Sequence, residues 1–290
     1  MLAVPDGIGE PMETQTGKTY VLGHDPAELA RLDRQAAWIE HPTRLIFDGA
    51  GITRGMRVLD LGSGLGHVAR LTAEIVGPEG AIVGVEQSGD ALAVARRRTE
   101  ESGASHVSFI EADVRTWRSE SPFDAIVERL LLFHMADPTE VVRHHFQNLR
   151  AGGLFVGVDF DIGACRSEPR VQLVEDALGW IMQAFTSAGA WPRIGARLAM
   201  ILRAAGLHDV TTLGVQAYLS PQDPGAAALL ASVVRSLAPA IIARGIATAE
   251  QIGIETLEQR IAAELKRADA VLLPPTVVGA WGRHEPTSAQ

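Results

Sequence analysis

The chain of 290 residues holds a single cysteine, Cys165. One thiol excludes an intramolecular disulfide and any zinc or iron–sulfur centre built from several cysteines, and it fits a reducing cytosol. Positive charge is also in short supply: 26 Lys and Arg stand against 35 Asp and Glu, a formal net charge of −9. That balance argues against a general nucleic-acid binder or a protein held on an anionic membrane surface. No apolar run reaches the roughly 18 residues of a membrane span. Met1 to Pro11 carries acidic residues and glycine where a secretory leader has a basic start and an apolar stretch, so the expectation is cytoplasmic. Internal repeats are missing. His144 and His145 are adjacent, so on a helix they diverge and lack the i, i+4 spacing of a paired metal site.

What is there reads as an ordinary globular chain, with 47% hydrophobic and 21% charged residues and ample length for a core. Residues 1 to about 18 have no period and suggest a loose arm, and residues 25 to 49 suggest two short helices. Beyond Met56, short apolar runs alternate with amphipathic stretches. Strands are expected at Arg57–Leu61, Ala81–Val85, His106–Ile110, Phe123–Val127 and Leu154–Val158, with helices between them, the last capped by Asp137 and stopped by Gly152-Gly153. This alternation implies right-handed crossovers and a parallel sheet covered on both faces. Later come helices near 169–188 and 194–205, a strand at 209–219, a helical stretch at 223–267 and a final apolar segment at 272–281 around Pro274-Pro275. The expected division is an arm with cap helices over 1–50, a core over 51–222, a helical lid over 223–268 and a last strand with tail over 269–290.

The informative stretch is Val58-Leu-Asp-Leu-Gly-Ser-Gly-Leu-Gly66. Gly62, Gly64 and Gly66 follow a buried strand and precede a helix, giving a turn that a ligand can approach closely at the carboxyl ends of the strands. A dinucleotide fingerprint needs its third glycine at 67, which is His67. It also places a pyrophosphate on the helix N-terminus, where Asp60 at the strand end would repel it. A ligand carrying an ammonium and a sulfonium, and no phosphate, suits Asp60 better.

Here the sequence resembles the class I S-adenosylmethionine-dependent methyltransferases. Asp60 to Gly66, with Ser63 inside the turn, matches the family's first motif, and Phe123-Asp-Ala-Ile-Val-Glu-Arg129 and Gly152-Gly153-Leu-Phe-Val match its fourth and fifth strands. The resemblance implies that Glu86, with Gln87 beside it, takes the ribose hydroxyls, a task for a bidentate acceptor. It implies that Asp113 accepts from the adenine amino group, that the Val114 backbone reaches the ring, and that Arg129 belongs to the cofactor site. Tyr20 and Gln35 correspond to residues that close over the methionine half. The implied fold is an α/β, Rossmann-like doubly wound sheet of order 3-2-1-4-5-7-6 with its last strand antiparallel, an N-terminal helical cap and a helical insertion between the last two strands. The implied cofactor is S-adenosyl-L-methionine.

Methyl transfer is an in-line displacement in which the cofactor carries the reactivity and the protein supplies position. A general base is optional. Candidate catalytic residues at the ends of the fourth and fifth strands are His134 and Asp159, with Glu128 and Asp161 nearby. No third oxygen ligand accompanies the two aspartates, so no metal is expected. Trp180, Phe185 and Trp191 are either core or the wall of a substrate cavity. The expected partner is a small apolar or aromatic metabolite methylated on O, N or C, with no nucleic acid and no membrane; a homodimer is left open. Three rivals remain: the first is a protein of the same fold that binds the cofactor and regulates or catalyses a non-methylating reaction, and the second a peptide or protein methyltransferase. A nicotinamide oxidoreductase is the third.

Overall fold

The computed structural model describes residues 26–285. Tyr20 lies outside the described residues. The first element is α1 (Pro26–Ala50), one continuous helix where the sequence suggested two. It runs through Pro42 because Ile39, Ile46 and Phe47 form a single buried stripe on both sides of the proline. The Thr43 hydroxyl donates to the Ile39 carbonyl, 2.6 Å away, within the disturbed turn. Burial of that stripe outweighs the hydrogen bond that proline removes.

The alternating part follows as β1 (Arg57–Leu61), α2 (His67–Val76), β2 (Ala81–Glu86), α3 (Gly89–Glu101), β3 (Val107–Glu111), β4 (Phe123–Arg129), α4 (Pro138–His144) and β5 (Leu149–Asp161). Asp137 caps α4 by accepting from the Glu140 N–H, with Pro138 at the first position. Gly152-Gly153 does not end that helix; both lie inside β5, where they exchange backbone hydrogen bonds of 2.9 Å with His284. The glycines give the long strand room to pair rather than marking a helix stop.

Next come β6 (Arg166–Glu168), α5 (Gln172–Ser187), α6 (Leu198–Ala205), β7 (His208–Val215), α7 (Pro224–Ala243), α8 (Ala249–Ile252), α9 (Leu257–Ala268), β8 (Val271–Leu273) and β9 (Thr276–Arg283). The main sheet has the order β3-β2-β1-β4-β5-β9-β7, which is 3-2-1-4-5-7-6 when only its own seven strands are numbered. β9 runs antiparallel to both β5 and β7. The final apolar segment divides at Pro274-Pro275: β9 joins the main sheet, while β8 pairs with β6 in a two-stranded ribbon the sequence did not suggest. The helical stretch after β7 is three helices, and α7 packs against α5 and α9.

α7 is 20 residues long with a mean hydropathy of 1.9 in its most apolar window, so by length and composition it could cross a membrane. Arg235 breaks the uncharged run that the sequence reading looked for. Its buried side, including Leu230, Val234, Leu237 and Ile241, belongs to the core.

Two apolar layers sandwich the sheet. One joins α1 and α2 to Val58, Ala125, Val127 and Val156; the other joins α4, α5, α6 and the late helices to Leu59, Leu61, Ile126 and Phe155. Strand order reverses between β1 and β4, which opens a crevice at their carboxyl ends, the usual place for a nucleotide-like ligand in this architecture.

Candidate cofactor and acceptor site

The turn after β1 is built as its glycines require. Gly62, Gly64 and Gly66 have φ of +67°, +49° and +77°, a region that costs an L side chain energy. Space adds a second constraint at two of them. A Cβ on Gly62 would stand 2.8 Å from Leu131, and one on Gly66 would stand 3.0 Å from Ala95. At Gly64 only the Gly62 carbonyl lies within contact range, at 3.9 Å, so the turn is open there. The N–H groups of Gly62 and Ser63 both donate to Val85 at the end of β2, which ties the turn to the neighbouring strand.

Glu86 ends β2 and faces this turn. Its Oε2 accepts from the Gly64 N–H at 3.1 Å, and Oε1 accepts from Gln87 and Ser88 at 2.8 and 2.9 Å. The carboxylate is thus oriented by three backbone donors. Asp60 is fully buried, with burial pushing its carboxyl up to about 8 against the opposing pull of the Arg129 guanidinium and the Ala69 backbone. Asp60 Oδ2 and the Ser63 hydroxyl are buried without a hydrogen-bond partner among the described residues.

Beyond β3, Asp113 accepts from the Arg115 N–H at 2.8 Å and from its Nε at 2.9 Å. That pairing holds the Asp113 carboxyl below its ordinary range. Val114 is buried beside it. Arg115 escaped the sequence reading, although an Asp two residues before an Arg is the local signal for such a turn.

Arg129 sits under α1, where Nη1 donates to the Thr43 hydroxyl at 3.2 Å; burial draws its pKa down to about 10. Gln35 accepts from Arg31 Nη1 at 2.7 Å, on the same helix. Another cluster missed by the sequence ties α1 to the glycine turn. Arg98 grips both oxygens of Asp33 at 2.8 Å, and His67, the first residue of α2, meets Asp33 Oδ1 at 2.8 Å. These residues line a groove of about 490 Å³ on the outer side of α1, α2 and α3. No spacing pattern in the sequence links positions 33, 67 and 98.

On the other side of the crevice, β4 leads into the turn Leu130–His134. Leu130 has a φ of +60°, and Leu132–His134 form one tight helical turn. His134 lies edge-on to Phe133 at 4.9 Å, and burial lowers its pKa to about 4, so it is a neutral imidazole at pH 7. Phe133 also meets Phe185 edge-on at 4.9 Å. Trp191 donates from its backbone to Phe133 and from Nε1 to Met135, both at 3.0 Å. Phe185 and Trp191 therefore wall the turn, and Trp180 packs into the same apolar layer. Asp159 and Glu128 lie completely buried beneath it. Asp161 caps the next turn through the Gly163 N–H and pairs with Arg193 at 3.5 Å. His145 is core, bonded to the Val114 carbonyl and to Asn148, each at 2.8 Å. Among the described residues, no group of three or more His, Cys, Asp or Glu is arranged to hold a metal ion.

A glycine turn over a Rossmann-like crevice, flanked by carboxylates and lacking a third glycine at 67, defines a nucleoside-binding α/β domain suited to a cationic ligand. Comparison with known proteins narrows this class. Residues 52–191 match the family described as "Methyltransferase domain". The chain is 32% identical over 126 residues to the protein-L-isoaspartate O-methyltransferase of Thermotoga maritima, covering 43% of this chain and 38% of that one. It is 29% identical over 119 residues to the ubiquinone/menaquinone biosynthesis C-methyltransferase UbiE of Pseudomonas paraeruginosa, covering 40% and 46% respectively. The chain thus spans less than half of either relative. The structure of Haemonchus contortus phosphoethanolamine N-methyltransferase 2 in complex with S-adenosyl-L-methionine superposes with a TM-score of 0.53 at 17% identity, covering 85% of this chain and 53% of that one; at that identity the likeness is one of fold. Residues 52–191, a little under half of the chain, are thus similar to a methyltransferase domain, on a fold shared with a solved S-adenosyl-L-methionine complex.

Proposed function

We propose that the protein transfers a methyl group from S-adenosyl-L-methionine to an O, N or C nucleophile of a small apolar or aromatic molecule. The observation that carries this reading is the open turn at Gly64 with the Glu86 carboxylate fixed against it. The site's chemistry suits the cofactor: two buried polar atoms, Asp60 Oδ2 and Ser63 Oγ, lack partners at the turn, and a cation placed beside Asp60 would favour the ionised form of its carboxyl.

When bound, S-adenosyl-L-methionine supplies an electrophilic methyl group on a sulfonium centre. In this reading Glu86, with Gln87 beside it, binds the ribose hydroxyls. Asp113 accepts from the adenine amino group with one oxygen freed from Arg115, and the Val114 backbone meets the ring. Asp60, with Arg129 behind it, offers a carboxyl to the ammonium end, near Ser63 and the bare backbone of Gly62, Gly64 and Gly66. Gln35, and Tyr20 from the segment outside the described residues, would close that end. His134 is the one candidate that combines a neutral imidazole with a place on the aromatic wall, so it is the group that could take a proton from an acceptor. The neighbouring Phe133, Phe185 and Trp191 support an apolar or aromatic acceptor.

Isothermal calorimetry with S-adenosylhomocysteine tests the cofactor assignment, and a substrate panel read by S-adenosylhomocysteine release tests the acceptor class. One-to-one binding together with turnover on an aromatic hydroxyl, amine or activated carbon is the expected outcome. Turnover confined to peptides would overturn the small-molecule reading.

A further inference from the structure

Glu128 and Asp159 are the buried acids that the proposed chemistry leaves unused. Glu128 is in register with Gly157 across β4 and β5, and Asp159 lies two residues further on the same face. Gly157 has no side chain where one would collide: a Cβ there would stand 2.7 Å from Glu128 Oε1, with Leu198 next nearest at 3.6 Å. The glycine lets the Glu128 carboxyl lie over β5, on the side where Asp159 projects.

Both acids then reach up to the same turn. Glu128 Oε2 accepts from the N–H groups of Leu131 and Leu132 at 3.2 and 3.3 Å, and Asp159 Oδ2 accepts from the next N–H, Phe133, at 3.1 Å. Three consecutive donors on one turn thus hold both carboxyls. Their other oxygens, Glu128 Oε1 and Asp159 Oδ1, are buried and have no partner. Two ionised carboxylates in an enclosure of Leu132, Phe133, Phe155 and Leu198 would repel each other, with little water to screen them. Protonating one of the two removes that repulsion and gives the site a donor for an orphaned oxygen.

We infer that Glu128 and Asp159 share one proton and act as a positioning pair, seating the Leu131–His134 turn on the glycine turn so that the donor and acceptor pockets stay aligned. The link to the glycine turn is direct, because Leu131 is the side chain that fills the space above Gly62. The turn also bends through Leu130 at positive φ, a conformation that persists only where its surroundings enforce it. Neither acid is catalytic in this assignment, since both are fully buried. Burial pushes Glu128 up to about 8 and Asp159 well above its ordinary range, with Glu128 adding to the shift of Asp159.

Other titratable groups at this end of the sheet are few. Asp60 on β1 raises Glu128 further, while Arg129, on the same sheet face as Asp60, pulls Asp60 down. His134 is on the turn itself, and Asp161 pairs with Arg193 above β5. From α6, the residue over Gly157 is the apolar Leu198.

The inference rests on the proposed cofactor cleft, and two readouts on the whole 290-residue chain keep the two ideas separable. Infrared difference spectra between Glu128→Gln and wild type at pH 7 should show that the variant loses the carbonyl stretch of a protonated acid. Calorimetry with S-adenosylhomocysteine should find Glu128→Gln and Asp159→Asn within about threefold of wild type at pH 7, because an amide oxygen keeps the N–H bonds and an amide N–H replaces the shared proton. Wild-type affinity should fall about tenfold or more from pH 7 to 10 as that proton leaves, and the Glu128→Gln profile should lack this fall. Asp60 titrates in both proteins and is coupled to Glu128, so the Asp159→Asn profile, which should lack the same fall, assigns it to the pair. Glu128→Ala should bind at least about tenfold more weakly at every pH, having lost two charge-assisted bonds; if it does not fold, the amide variants decide alone. An unchanged spectrum, matching pH profiles in wild type and Glu128→Gln, or a Glu128→Gln protein as weak as Glu128→Ala would overturn the pair. A wild type that binds no S-adenosylhomocysteine would instead defeat the cofactor reading and with it the positioning role, the infrared band then deciding proton sharing alone.

Discussion

Glu86 and Asp113 show how two carboxylates of the same general kind come to differ. Glu86 is fixed by three backbone donors, Gly64 in the glycine turn and Gln87 and Ser88 directly after it, and so stands ready without a charged partner in its grip. Asp113 is held by the guanidinium two residues away. Replacing Glu86 with alanine should therefore weaken S-adenosylhomocysteine binding by about 1.5–3 kcal/mol, the worth of hydrogen bonds to a charged group; calorimetry that finds unchanged affinity would remove Glu86 from the ribose role. Replacing Arg115 with alanine should leave affinity equal or up to about fivefold better, since an exposed ion pair contributes at most about 1 kcal/mol and here competes with the ligand. A large loss of affinity would mean that Arg115 itself touches the cofactor. The roles of Asp60, Glu86 and Asp113 could be suggested from the sequence because each stands at a strand end in a fixed order. Arg115, the Asp33–His67–Arg98 cluster and the contact between Leu131 and Gly62 could not, because they depend on side-chain directions set only by packing.

At the level of elements, α1 is more than an appended cap. Ile46 and Phe47 are wholly buried, and Gly279 of β9 is small because Ile46 occupies the space where a Cβ would lie. Gly279→Val should thus destabilise the fold more than Ile46→Val, which should cost about 0.5–1.5 kcal/mol; denaturant titration of both variants checks the order. The two halves of α1 differ in kind: one is core, while the other is tied through Asp33 to the first residue of the helix after the glycine turn. Helix existence was legible from the apolar stripe, but its continuity was not, because Pro42 is a local stop signal that tertiary burial overrides. The same competition explains Gly152-Gly153, a stop signal by composition that becomes part of a strand once β9 supplies hydrogen-bond partners. The small ribbon of β6 and β8 was illegible for another reason: strands of three residues carry no period.

For the molecule as a whole, the concentration of buried acids at one end of the sheet sets the pH dependence of stability. Asp60 and Glu128 are pushed up to about 8 and Asp159 well above its usual value. The folded protein thus holds protons that the unfolded chain releases near pH 4, and this contribution is lost as pH rises through about 8. His67, His134 and His145 are drawn down to about 4 by burial, so their contribution runs the other way and is lost as pH falls from about 6.5 to 4. With Asp60 holding one proton and the Glu128–Asp159 pair another, two raised protons oppose three histidines below about pH 6.5, and above it only the acids act. Melting temperature should therefore rise slightly from pH 5 to 6.5 and fall from 6.5 to 8; a rise over the second interval would contradict the burial of these carboxyls. The sheet order was legible in the sequence because alternation and right-handed crossovers leave few topologies. The acceptor was not, since it depends on a wall assembled from segments as distant as Phe133 and Trp191.

The central claim is that the turn at 62–66 receives an adenosyl sulfur ligand and not a dinucleotide. Calorimetric titration of the wild type and of Gly64→Val with S-adenosylhomocysteine, and separately with NADH, tests it most directly. The wild type should take up one S-adenosylhomocysteine and no NADH, while Gly64→Val should lose that binding but still unfold cooperatively, because a β-branched residue cannot adopt φ of +49° without disturbing the turn. Uptake of NADH in place of S-adenosylhomocysteine, or full binding by Gly64→Val, would contradict it.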